Sequence, residues 1–102
     1  MSYADVEMKV LQWGGARGIV QNSNPYAQAK KTQEELYELF EAIEDGDKAA
    51  MADAYGDILV TLVMGCACAD LDLVTCFKDA YNEIKDRKGH LTKEGIFVKE
   101  SA

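Results

Sequence analysis

Ile58-Leu59-Val60-Thr61-Leu62-Val63-Met64-Gly65-Cys66-Ala67-Cys68-Ala69 carries no charged side chain and is apolar at nearly every position. The residues before it, from Lys48, follow a helical pattern without a turn signal, so the run reads as the second half of one helix over 48–69. Ile, Val and Thr would also suit a buried strand over 58–64. The unbroken pattern upstream decides for helix. A helix that is apolar on every side is one that neighbours surround, and this single reading makes the fold an all-α bundle.

The rest of the chain supplies the neighbours. Asp45-Gly46-Asp47 is a helix stop and start, with Gly46 suited to a left-handed cap and Asp47 to the next N-cap. Before it, 26–44 reads as a helix with Ala29, Leu36, Phe40 and Ile43 as its apolar stripe. Asn22-Ser23-Asn24 before Pro25 opens that helix. A first helix over 3–13 carries Val6, Val10 and Trp13 on one face and stops at Gly14-Gly15, leaving 14–25 as loop. Downstream, Asp70 or Asp72 caps a fourth helix striped by Leu73, Phe77, Ala80, Tyr81 and Ile84, which ends near Arg87. In the tail 92–102, Ile96, Phe97 and Val98 read as an extended arm. Four helices in one domain over 1–102 are expected, and the central helix needs more cover than three partners give. Homo-oligomerisation is expected to complete the bundle.

Composition narrows the function classes. Eleven Lys plus Arg against eighteen Asp plus Glu leave a net charge of -7, a poor basis for binding a nucleic acid polymer. No basic segment with an apolar stretch after it opens the chain, and the longest apolar run is shorter than the ~20 residues a bilayer needs. A soluble, cytoplasmic protein without membrane attachment is expected. Cys66, Cys68 and Cys76 form no CxxC pair, and His90 is the single histidine. The thiols read as small packed hydrophobes, and a zinc site is not expected.

Two acidic groups stand out. Glu34-Glu35-Leu36-Tyr37-Glu38 puts Glu35 and Glu38 one helical turn apart, with Gln28 and Lys31 earlier on the same strip. Asp53-Ala54-Tyr55-Gly56-Asp57 puts Asp53 and Asp57 on one face, with Asp57 abutting the apolar run. A carboxylate there needs a partner. Helices joined by a short turn run antiparallel, so the two groups face each other as an all-oxygen site, which suits Mg2+ or Mn2+. On the fourth helix and just after it, Asn82, Lys85, Arg87 and Lys88 offer donors of the kind that hold phosphate oxygens, Lys78 lying on the same face.

The pattern Glu34-Glu35-x-x-Glu38, a spacer, then Gly56-Asp57 leading into an apolar helix resembles the MazG-type all-α nucleoside triphosphate pyrophosphohydrolases, whose motif is EExxE followed by ExxD. The resemblance spans about Gln28 to His90. It implies a metal-dependent helical bundle, a homodimer or homotetramer, that converts a (deoxy)nucleoside triphosphate to the monophosphate and pyrophosphate. By position it implies Glu35, Glu38 and Asp57 as metal ligands. The chain departs from the motif at Ala54, where the family has glutamate, and Asp53 is the expected substitute. On this reading Glu38 or Glu34 accepts a proton from water, while Gln28, Lys31, Asn82, Lys85, Arg87 and Lys88 bind substrate. Trp13 and Tyr37 are candidates to stack on the base. Two other readings stand beside it: a non-catalytic helical dimer that senses nucleotide or binds a protein, favoured by Ala54, and a pyrophosphohydrolase acting on a phosphoribosyl nucleotide.

Overall fold

The computed structural model describes residues 1–100; the last two residues of the expected tail, Ser101 and Ala102, lie outside the described residues. Five helices and a small hairpin follow in order: α1 (Tyr3–Ala16), α2 (Ile19–Asn22), α3 (Pro25–Glu44), α4 (Lys48–Cys68), α5 (Leu73–Ile84), β1 (Gly89–Leu91) and β2 (Phe97–Lys99). The architecture is all-α, as the apolar run required.

Side-chain caps start four of the helices. The Ser2 hydroxyl accepts from the Asp5 N–H while the Asp5 carboxylate accepts from the Ser2 N–H, a closed capping box. Asn24 accepts from the Ala27 N–H at 2.8 Å to start α3 with Pro25 in its first turn. Asp47 accepts from Ala50 N–H at 3.0 Å, and Asp72, rather than Asp70, accepts from Thr75 N–H at 2.8 Å. Gly46, at φ 64°, makes the left-handed turn between α3 and α4.

α4 is the hub, packing against α1, α2, α3 and α5. By length and composition it is apolar enough to cross a membrane. Here it is the central helix of the bundle, with Ala54, Thr61, Val63 and Met64 buried. Its main partner is α3, and the antiparallel pair is pinned by polar contact. Thr61 donates to the Ile58 carbonyl at 2.7 Å, and its hydroxyl lies 2.7 Å from that of Thr32.

Three expectations need correction. The stretch 14–25 is not all loop: α1 continues through Gly14 and Gly15 to Ala16, and α2 adds a turn. Gly14 is buried, and a Cβ there would run into the Met64 thioether, so this glycine serves close packing rather than a helix stop. Secondly, the stripe Leu36, Phe40, Ile43 on α3 is exposed, as is Ala29; the face against α4 carries Glu35, Leu39 and Ala42. Finally, α5 ends at Ile84, and the expected extended arm is one strand of an antiparallel hairpin pairing Leu91 with Phe97 and Gly89 with Lys99.

Candidate metal centre

The α3–α4 pair brings three carboxylates together. One oxygen from each of Glu35, Glu38 and Asp57 lies within 4.8 Å of the others. Glu35 projects from the buried face of α3, Glu38 stands one turn on at its exposed border, and Asp57 is half-buried on α4. The Thr32–Thr61 contact fixes the register, since Thr32 is one turn before Glu35 and Thr61 one turn after Asp57.

The trio is electrostatically incomplete. Glu35 is 8% exposed, and its Oε2 is buried without a hydrogen-bond partner. Lys31 reaches toward Oε1 at 3.7 Å but sits closer to Glu34, at 3.1 Å. Burial pushes the Glu35 carboxyl above its ordinary range, and the adjacent Glu38 and Asp57 push it the same way, against a smaller pull from Lys31. A buried orphan oxygen among three converging carboxylates is the donor set a hard divalent cation neutralises, so these residues fit such an ion.

The other expected residues fall in different places. Asp53 is exposed and outside the trio, while Ala54 is buried. Glu34 is exposed and occupied by Lys31. Gln28 donates to the Ser23 hydroxyl at 3.0 Å and lies beside Gly65, two turns from Glu35. Asn82, Lys85, Arg87 and Lys88 are all exposed, and α5 packs on α1 and α4 but not on α3. The chain's own packing therefore does not bring these donors to the trio. Tyr37 is exposed. Trp13, with the Arg17 guanidinium 4.9 Å from its ring centroid, lines a cleft of about 370 Å3 between α1 and α4 that Lys9 and Asp57 also line. Lys9 was not among the residues expected at the site; in sequence it is one lysine on an amphipathic helix, with no motif around it.

A buried glutamate on α1 adds to the acid response. Glu7 is 8% exposed with Oε1 unpartnered, and burial, then Asp72, raise its carboxyl. Glu7 and Glu35 both bind protons more readily folded than unfolded. Above the ordinary value of 4.5, the folded state then holds more protons, so stability falls as pH rises through each group's folded pKa. The metal-free chain is expected to melt at a higher temperature near pH 5 than near pH 7. Glu35→Gln should flatten that slope, and a melting temperature that climbs steadily from pH 5 to 7 in the metal-free protein would contradict the assignment.

The family model of the MazG nucleotide pyrophosphohydrolase domain matches residues 24–92, which cover α3, α4, α5 and β1. The chain belongs to the MazG nucleotide pyrophosphohydrolase family. Neither the curated proteins nor the solved structures compared with it give a match. The family generally uses a divalent metal, in keeping with the carboxylate trio.

Proposed function

We propose that the protein is a Mg2+-dependent nucleoside triphosphate pyrophosphohydrolase, cytoplasmic and at least dimeric, that converts a (d)NTP to the (d)NMP and pyrophosphate. The observation that carries this is the convergence of Glu35, Glu38 and Asp57 within 4.8 Å, one of them with a buried orphan oxygen, on the helix pair that the family match covers.

Glu35, Glu38 and Asp57 would hold Mg2+, with Mn2+ as a substitute. The ion supplies neutralisation of phosphate charge and a more acidic water. The water oxygen attacks the α-phosphorus, the α–β bridging P–O bond breaks, and pyrophosphate leaves. Glu38, the most solvent-accessible of the three, or Glu34 beside it accepts the water's proton. Lys31, Lys85, Arg87 and Lys88, with Gln28 and Asn82, bind the phosphates and sugar as charge builds on the leaving group. Trp13, in the cleft that Asp57 shares, offers its indole face to the base. Oligomerisation is supported by the exposed apolar side chains on α3, α4 and α5, which water would otherwise solvate.

A nucleotide panel with Mg2+, with pyrophosphate and orthophosphate measured separately, tests the reading. Pyrophosphate and monophosphate in equal amounts are expected. Orthophosphate as the product, or no turnover, refutes it. Hydrolysis confined to a phosphoribosyl nucleotide would move the chain to that substrate class. Ala54 favours one other reading, a nucleotide-sensing or protein-binding dimer, because the family motif has a ligand there.

Asp53 decides how the missing glutamate is replaced. Acting through water from its exposed position, it would support the trio, and Asp53→Ala is expected to lower metal-dependent turnover by ~10-fold, about 1.4 kcal/mol. Ala54→Glu should keep or raise turnover. Full turnover of Asp53→Ala at saturating Mg2+, with only a slight loss of stability, would leave a site of three carboxylates.

A further inference from the structure

α5 is anchored to the rest of the chain over a small area. None of its residues is buried, and only Leu73, Val74 and Cys76, all in its first turn, are half-buried; the others are exposed. Cys76 is therefore turned toward the chain at the point where α5 meets α1 and α4. The end of α4 offers two thiols there. Cys68 is committed elsewhere, since its Sγ donates to the Ile19 carbonyl on α2 at 3.8 Å. Cys66, two residues earlier, lies about 200° round the helix from it and points away from α2. Cys66 and Cys76 stand five residues either side of Leu71, in the link of a helix hairpin. Equal spacing from a tight turn sets side chains opposite each other. The turn is drawn close by the Leu71 N–H, which donates to the Cys66 carbonyl at 2.8 Å.

The surroundings of Cys66 agree with this pairing. Burial pushes its thiol above the ordinary range, the Cys76 thiol beside it pushes the same way by charge and by hydrogen bonding, and Glu7 and Asp72 add smaller effects. Cys66 is held there as a neutral, packed thiol, while Cys76 stands on the more open helix. Packing as a small hydrophobe accounts for Cys68, whose proton has a carbonyl to meet. It does not account for two free thiols facing each other at the one place where α5 is anchored.

We propose that Cys66 and Cys76 form a redox site, which a small-molecule disulfide converts to an intrachain disulfide that staples α5 to α4. The Cys76 thiolate attacks one sulfur of the reagent, and the other sulfur leaves as a thiolate. Cys66 then displaces the remaining half from the mixed disulfide. One S–S bond breaks and one forms. The two protein thiols give up two electrons and two protons, and the reagent departs as two thiols that carry them. In a reducing compartment the dithiol is the resting form and the bond is transient. The staple involves no step of nucleotide hydrolysis, so it stands apart from the proposed function.

Two measurements on the full chain test this. In the first, the reduced chain is incubated with oxidised glutathione, its remaining thiols are alkylated, and it is cut before aspartate, which puts Cys66 and Cys68 in one peptide and Cys76 in another. Fragmentation of the linked peptides is expected to show Cys66 bonded to Cys76, with Cys68 alkylated. Cys68→Ser should form the same link, and Cys66→Ser should stop at a glutathione adduct on Cys76. A Cys68–Cys76 bond, covalent dimers on a non-reducing gel in place of the intrachain bond, or glutathione adducts alone on the wild-type chain would overturn the pairing. In the second, the oxidised chain is expected to melt roughly 5–20 °C above the reduced one, because closing a short loop constrains the unfolded chain. A dithiol reductant should reverse the rise, and Cys76→Ala should lack it. A chain that carries the bond yet melts no higher overturns the staple.

Discussion

Asp57→Asn is expected to remove at least ~100-fold of Mg2+-dependent turnover, because loss of a group that merely supports a metal ligand already costs ~10–100-fold. The carboxylate sits on the central helix, where Asn keeps the shape but contributes no charge. The same change should abolish stabilisation by the ion. A ligand at ~100 times its Kd adds about 2.7 kcal/mol, roughly 10–20 °C for a domain this size. Without Mg2+ the variant should melt no lower than the parent, since one of three converging carboxylates is gone. That combination of lost activity, lost Mg2+ response and an intact metal-free fold distinguishes a ligand from a structural residue. An Asp57→Asn protein that still gains melting temperature from Mg2+ would exclude Asp57 from the centre.

Met64→Ala is expected to destabilise the fold by ~2–5 kcal/mol, the cost of emptying a buried methionine site. Met64 is 2% exposed, and its thioether lies over Gly14, the one place where α1 comes close enough to α4 to need a glycine. Met64→Leu keeps the volume and should cost under ~1.5 kcal/mol. Thermal melts of both variants check this. Equal losses would mean that the site tolerates collapse and that α1 is held elsewhere.

The sequence made α3 and α4 legible to within a residue or so, because their signals were local: Asn24 before Pro25, the Asp45-Gly46-Asp47 turn, and an apolar run too continuous for any but a central helix. The trio was legible for the same reason. Helical spacing placed Glu35 with Glu38, and a short turn placed both opposite Asp57. What a chain touches at a distance was not legible. Ala29, Leu36, Phe40 and Ile43 read as the apolar stripe of α3, but periodicity locates apolar residues without naming what covers them. The helix pair uses the smaller and more polar face of Thr32, Glu35, Leu39 and Ala42 and leaves Leu36, Phe40 and Ile43 outward. Gly14 was read as punctuation because a glycine that ends a helix and one that admits a methionine look alike until the methionine is placed. The basic group after α5 could be recognised chemically. Its separation from α3 depends on the whole packing arrangement.

The tight turn at Gly46 also has a temporal consequence. All three carboxylates lie within a stretch of 23 residues, Glu35 to Asp57, so the loop closed in forming the trio is short and its entropy cost small. Local contacts of this kind form early and fast. During synthesis the acidic cluster can assemble as soon as α4 has left the ribosome, while α5 and the hairpin are still inside the exit tunnel. Binding a cation in that interval would favour the correct register of the nascent helix pair before α5 and the hairpin can pack.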